Sequence, residues 1–165
     1  MPITLRDLFI DALRDAYSTE QLLLTALPEM AKAAKARELT ADLEAHIQTT
    51  KGQVARLAKL FEELGEAPEG RVSLPMESLV TESQKLAQQG MAPGLLDAAL
   101  IASAHKIAHY EMAAYGSLCG YAEALGHDGA AKLLRASLSE EKKFDAGLSE
   151  IAKSKVNPRA TKSAA

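Results

Sequence analysis

LIASAHKIAHYEMAAYGSLCGYAEAL, residues 100–125, is the stretch on which the reading of this chain turns. Sampled at alternating steps of four and three it gives Leu100, Ala104, Ile107, Glu111, Ala114, Leu118, Tyr121 and Leu125. That spacing keeps residues on one face of a helix. Glu111 is the only charged member of an otherwise apolar stripe, so a carboxylate is placed where a core is expected. An unpartnered buried carboxylate costs several kcal/mol unless it takes a proton or finds a cation.

Three further stretches repeat the pattern. Residues 5–37 give Phe9, Leu13, Ala16, Glu20, Leu23, Leu27, Met30 and Ala34, interrupted only by Glu20. Residues 40–64 carry a stripe that begins at Leu39 and runs through Leu43, His46, Thr50, Gln53, Leu57, Leu60 and Leu64, with its polar members in the middle. Residues 130–153 give Leu134, Leu138, Glu141, Asp145, Leu148 and Ala152. Thr4 is a good N-cap with Asp7 three residues on, and Pro28 is expected to bend the first helix.

The first two helices are joined by a short turn, as are the last two across Gly126–Gly129, so each pair should form an antiparallel hairpin. Asp128 is a candidate cap for the last helix. Between the hairpins lie a Gly/Pro-rich loop over 65–75, a shorter helix over about 76–89 and a break over 89–94. One long crossover between the second and third long helices is the ferritin-like arrangement of a four-helix bundle. The expected fold is therefore all-α and ferritin-like, with a bundle domain over 1–153. Lys153, Lys155, Arg159 and Lys162 mark the end of the chain, and 154–165 is expected to be a flexible basic tail.

Counting outward from turns near residues 36–37 and 127–128 puts Glu20 opposite Gln53, and Glu111 opposite Phe144, within a turn of Glu141 and Asp145. Glu20, Gln53, Glu111, Glu141 and Asp145 are thus expected in one central layer, with no Lys or Arg in the stripes to neutralise them. A divalent cation would relieve their repulsion, and oxygen-rich ligands suit iron or manganese. His46 lies about two turns from Glu20 and reads as a hydrogen-bonded core histidine. His105 and His109 lie off the main stripe, and His127 belongs to the turn.

The chain has 165 residues, a formal charge of -3 with both signs mixed, few aromatics and one cysteine. That composition favours helix and lacks the basic footprint of a nucleic-acid binder. Cys119 cannot form an intrachain disulfide and reads as a small core residue. No signal peptide and no membrane-spanning run are seen, and the expected compartment is the cytoplasm. A phosphate-binding Gly loop, a nucleophilic Ser or Cys arrangement and zinc-type Cys/His spacing are likewise not found.

Specific runs then carry a likeness. Asp15-Ala16-Tyr17-Ser18-Thr19-Glu20-Gln21-Leu22, Gly52-Gln53-Val54, Asp97-Ala98-Ala99-Leu100-Ile101-Ala102, His109-Tyr110-Glu111 and Glu140-Glu141-Lys142 together resemble the YciE/YciF-type ferritin-like family of bacteria, domain of unknown function 892. The resemblance runs to about residue 153. It implies a homodimer, a role in stress responses, a two-metal carboxylate site and chemistry with a small oxidant such as peroxide. Carried over by position, Glu20, Glu111, Glu141 and Asp145 are in place, and Gln53 stands where relatives have His or Gln. Thr49 and Ala108 stand where relatives commonly have Glu. The second reading is a metal-free helical scaffold that acts through oligomerisation or partner binding.

Overall fold

Thr4 opens the first helix as its sequence predicts. Its hydroxyl accepts from the Asp7 amide at 3.1 Å, and the Asp7 carboxylate accepts from the Thr4 amide at 3.0 Å. This reciprocal box satisfies donors that a helix start leaves open. The computed structural model describes residues 2–68 and 72–164. Its long helices are α1 (Leu5–Ala33), α2 (Arg37–Leu64), α4 (Pro93–Ala124) and α5 (Asp128–Ile151), with the shorter α3 (Leu74–Gln88) in the crossover. No strand is found among the described residues. Helix α1 runs through Pro28, whose ring is exposed. Residues 69–71 of the expected loop lie outside the described residues.

Gly65 ends α2 at φ 67°, and Gly126 turns α4 into α5 at φ 72°, conformations that glycine adopts without steric cost. The N-cap of α5 is His127 rather than Asp128, which is the first helical residue. The His127 ring stacks on Phe9 at 6.1 Å and fills the end of the bundle.

Helix α1 pairs with α2 and α4 with α5, while α1 packs on α4 and α2 on α5. Helix α3 lies against α1 and α4. Two hydrogen bonds set its start: Tyr110 Oη donates to Asp15 Oδ2 at 2.6 Å and lies 2.9 Å from the buried Ser73 hydroxyl. Across the bundle, the Asp97 carboxylate accepts from the Lys35 amide at 2.7 Å and ties the α1–α2 turn to the start of α4.

The apolar interior is divided in two. One layer gathers Leu23, Leu27, Leu43, Leu100, Ile107 and Leu148 with their neighbours. The other gathers Phe9, Leu13, Leu57, Phe61, Leu118 and Leu134. Between them lies a polar waist formed by the residues that interrupt the stripes.

The expected tail beyond residue 153 departs from the reading of a loose basic segment. The chain continues through a widened π-type turn, Ala152–Val156, into α6 (Asn157–Ala160). Val156 is 1 % exposed and joins the first apolar layer. A Cβ built on Gly94 would lie 3.0 Å from the Ala160 backbone nitrogen, so the segment crosses α4 where that helix has no side chain. The lysines at 153 and 155 remain exposed, which is why composition alone reads as a tail.

Candidate metal centre

Glu20 of α1, Gln53 of α2, Glu111 of α4 and Glu141 of α5 are each no more than 1 % exposed. They form the waist, so the structure places these four as the stripes imply. Gln53 Nε2 donates to Glu141 Oε1 at 2.5 Å, and Tyr115 Oη donates to Glu20 Oε1 at 2.5 Å. Glu111 lies between the other two acids. Its pKa is raised well above the ordinary carboxylate range, first by burial and then by the charges of Glu141 and Glu20. Burial likewise lifts Glu20 to about 8 and Glu141 to about 7, against the hydrogen bonds from Tyr115 and Gln53 that favour their charged forms. The Tyr115 hydroxyl is pushed up by burial and by facing Glu20, so it remains a proton donor.

His46 belongs to this layer, although level counting sets it two turns away. Its Nε2 lies 3.5 Å from Glu141 Oε2, and its ring stacks on Phe144 with centroids 3.6 Å apart. Burial lowers its pKa to about 4, which keeps the imidazole neutral at ordinary pH. Ligand atoms of His46, Glu111 and Glu141 converge within 4.8 Å of one another. A groove of about 700 Å³ between α2 and α5, lined by Asp42, Thr49, Lys143 and Gly147, has His46 and Phe144 in its wall. Beside it Arg56 clamps Glu140 with its two terminal guanidinium nitrogens and donates to Ser137 Oγ at 2.9 Å, joining α2 to α5.

Asp145 departs from the expectation. It is half-buried at the α4–α5 surface and pairs with His105 and His109 rather than with the waist. The reason lies in helix geometry. From Glu141, a step of three residues turns toward α2, where Phe144 meets His46, and a step of four turns toward α4.

A two-metal bundle of this kind draws one Glu from each of two helices and a Glu-x-x-His pair from each of the others. Here Glu20 and Glu111 are the single acids. Helix α2 offers Thr50 and Gln53, and α5 offers Glu141 and Phe144. Three acids and one amide are therefore present, with His46 as an imidazole from outside the pattern. These residues fit one cation better than two. Glu20 Oε2, both Glu111 oxygens, Glu141 Oε2, Gln53 Oε1 and His46 Nε2 are buried with no hydrogen-bond donor beyond the protons the acids themselves carry. Such orphaned oxygens are what a hard divalent ion would satisfy.

Comparisons with known proteins agree with the fold. The family profile described as "Domain of unknown function (DUF892)" matches residues 4–161. Protein YciF of Escherichia coli is 39% identical over 158 residues, 95% of each chain. In structure the chain is similar to the E. coli stress protein YciF, with a TM-score of 0.91 at 38% identity over 94% of this chain and 99% of that one. It is similar to a Rhodopseudomonas palustris protein designated YcfI, with a TM-score of 0.86 at 38% identity over 88% of this chain and 93% of that one. A dodecameric thioferritin from Bacteroides fragilis, at 14% identity and a TM-score of 0.69 over 96% of this chain and 91% of that one, shares the ferritin-like fold.

Proposed function

The chain belongs to the DUF892 family and has a ferritin-like fold, and from that premise we propose that it is a stress-associated protein whose waist holds one divalent iron or manganese ion. The observation that carries this reading is the set of orphaned oxygens on Glu20, Glu111 and Glu141. Glu20, Glu111 and Glu141 would hold the ion, with Gln53 or His46 completing the set. When bound, such an ion supplies Lewis acidity or one-electron chemistry toward a small oxidant such as peroxide.

The chain's own residues account for the rest. The two apolar layers exclude bulk water from the waist. The groove against His46 and Phe144 is the approach for a small molecule, and Thr49 at its side leaves room that a longer acid would occupy. Tyr115 donates a hydrogen bond to Glu20 Oε1, and neutral His46 is placed to accept a proton beside Glu141.

The proposed form is a homodimer. Leu8, Val72 and Leu74 are exposed and line one groove of about 460 Å³ between α1, α4 and the start of α3, a surface suited to a second copy. The proposed compartment is the cytoplasm. Among the described residues no helix is long and apolar enough to cross a membrane.

Elemental analysis of protein purified without chelator, followed by anaerobic Fe(II) and Mn(II) titration, tests the metal reading. One ion per chain is expected, with affinity reduced at least about tenfold in Glu141→Gln. The second reading, a metal-free scaffold, is favoured by Thr50 and Phe144 standing where a complete centre has Glu and His. It takes over if neither ion binds the native chain.

A further inference from the structure

Where α4 meets α5 at the surface, a second group of donor atoms converges outside the waist. His105 and His109 are four residues apart, so their rings project from one face of α4. From α5, Asp145 Oδ1 lies 2.6 Å from His105 Nδ1 and 3.2 Å from His109 Nε2. The three residues each bring one ligand atom within 4.8 Å of the other two. The side chains of His105 and Asp145 are 26% and 24% exposed, and that of His109 is 65% exposed.

We propose that His105, His109 and Asp145 form a second metal site, on the surface, that takes zinc(II). Two imidazoles and one carboxylate make the ligand set of an open zinc site, in which solvent or a further ligand takes the fourth position. The waist offers chiefly oxygen, which suits harder ions, whereas imidazole suits the borderline ones. The two sites therefore sort cations by chemistry although they share two helices.

The metal-free geometry is close to what zinc needs. At zinc–ligand bonds of about 2.0 Å, ligand atoms in a tetrahedral arrangement stand roughly 3.3 Å apart. The contact to His109 already has that spacing. The contact to His105 must open by about 0.7 Å, within reach of small side-chain rotations. In the metal-free state His105 Nδ1 donates N–H to Asp145 Oδ1, and His109 Nε2 lies 3.2 Å from the same oxygen. On binding both ring nitrogens turn lone pairs inward, and each neutral ring keeps its proton on the opposite nitrogen. His109 faces solvent, so neither access nor a fourth ligand is blocked. The alternative is a hydrogen-bonded clasp that only pins α4 to α5.

Zinc(II) titrated against the metal-stripped full chain, in competition with a chromogenic chelator, separates the two. His105→Ala and His109→Ala should each weaken zinc binding at least about tenfold, since the loss of an outer-sphere partner alone costs 10–100-fold. Glu141→Gln should leave that binding in place while losing Fe(II) or Mn(II), which keeps this site's failure distinct from that of the waist. Cobalt(II), as a coloured substitute, should give ligand-field bands in the native chain that His105→Ala abolishes. Both histidines are partly exposed, and unchanged thermal melts of the metal-free variants will show that the fold survives. Equal zinc affinity in the native chain and both histidine variants overturns the proposal. So does a native chain that binds no zinc, or zinc that is lost in Glu141→Gln and kept in the histidine variants.

Discussion

Leu23 and Glu20 stand three residues apart on α1 and are both fully buried, yet they belong to regions with opposite responses to solvent conditions. The layer around Leu23 gains its free energy from apolar area removed from water, which protons do not change. The waist around Glu20 holds three acids whose charged forms burial disfavours. The bundle is thus held together at two levels and held under electrostatic load at the one between them. Stability is supplied by the outer layers, and the waist is the place that responds to protons and cations.

The sharpest way to separate the regions is to truncate one of them. Leu23→Ala should cost about 2–5 kcal/mol, the range for large-to-small changes in a well-packed core. The loss should be the same at pH 5.5 and pH 8, and urea midpoints at the two values check it.

The waist should instead show itself as pH dependence in the native chain. In chelator, the folded acids hold protons that the unfolded chain, with Glu at 4.5, has released. Stability therefore falls as pH rises from about 4.5 toward 8. His46 opposes this at the acid end. Its folded value of about 4 against 6.5 unfolded means that stability from His46 is lost as pH falls between those values. The net fall should be steepest between about pH 6.5 and 8, by roughly 2–4 kcal/mol. A flat profile across that window would mean that the waist acids are solvated.

Glu111→Gln sharpens the comparison further. An amide keeps the shape, needs no proton to stay neutral in the waist and brings a donor to Glu20 or Glu141. At pH 8 in chelator it should stabilise the fold by about 1–3 kcal/mol, and at pH 5 by much less. Melting the variant at both values tests this. The same change should weaken Fe(II) or Mn(II) binding, so stability and metal affinity should move in opposite directions.

Much of this architecture was legible from the stripes. Glu20, Glu111 and Glu141 announced themselves because each breaks an apolar run, and the ferritin-like order followed from one long crossover. Asp145 lies away from the waist, and a 4-3 stripe does not say which neighbouring helix a residue at its edge will face. His46 comes nearer the waist than its level implies, because level counting locates backbones and not the reach of side chains. Glu141 spans the gap, with one oxygen at Gln53 and the other 3.5 Å from His46. The docked end of the chain had a faint signal. Leu148, Ala152 and Val156 continue at steps of four, but Lys153 and Lys155 between them give the segment the composition of a solvated tail.

The Asp97–Lys35 hydrogen bond bears on how the two hairpins come together. Lys35 lies in the turn between α1 and α2, outside either helix, and its amide is held by a carboxylate 62 residues away in sequence. Each hairpin is closed by contacts local to its own turn, which form early at small loop-closure cost. This bond closes only when the second hairpin has arrived. Exchange of the Lys35 amide with deuterium therefore reports on hairpin docking, and a Lys35 amide that exchanges while the α1 and α2 amides stay protected is the expected sign of hairpins that have parted without melting.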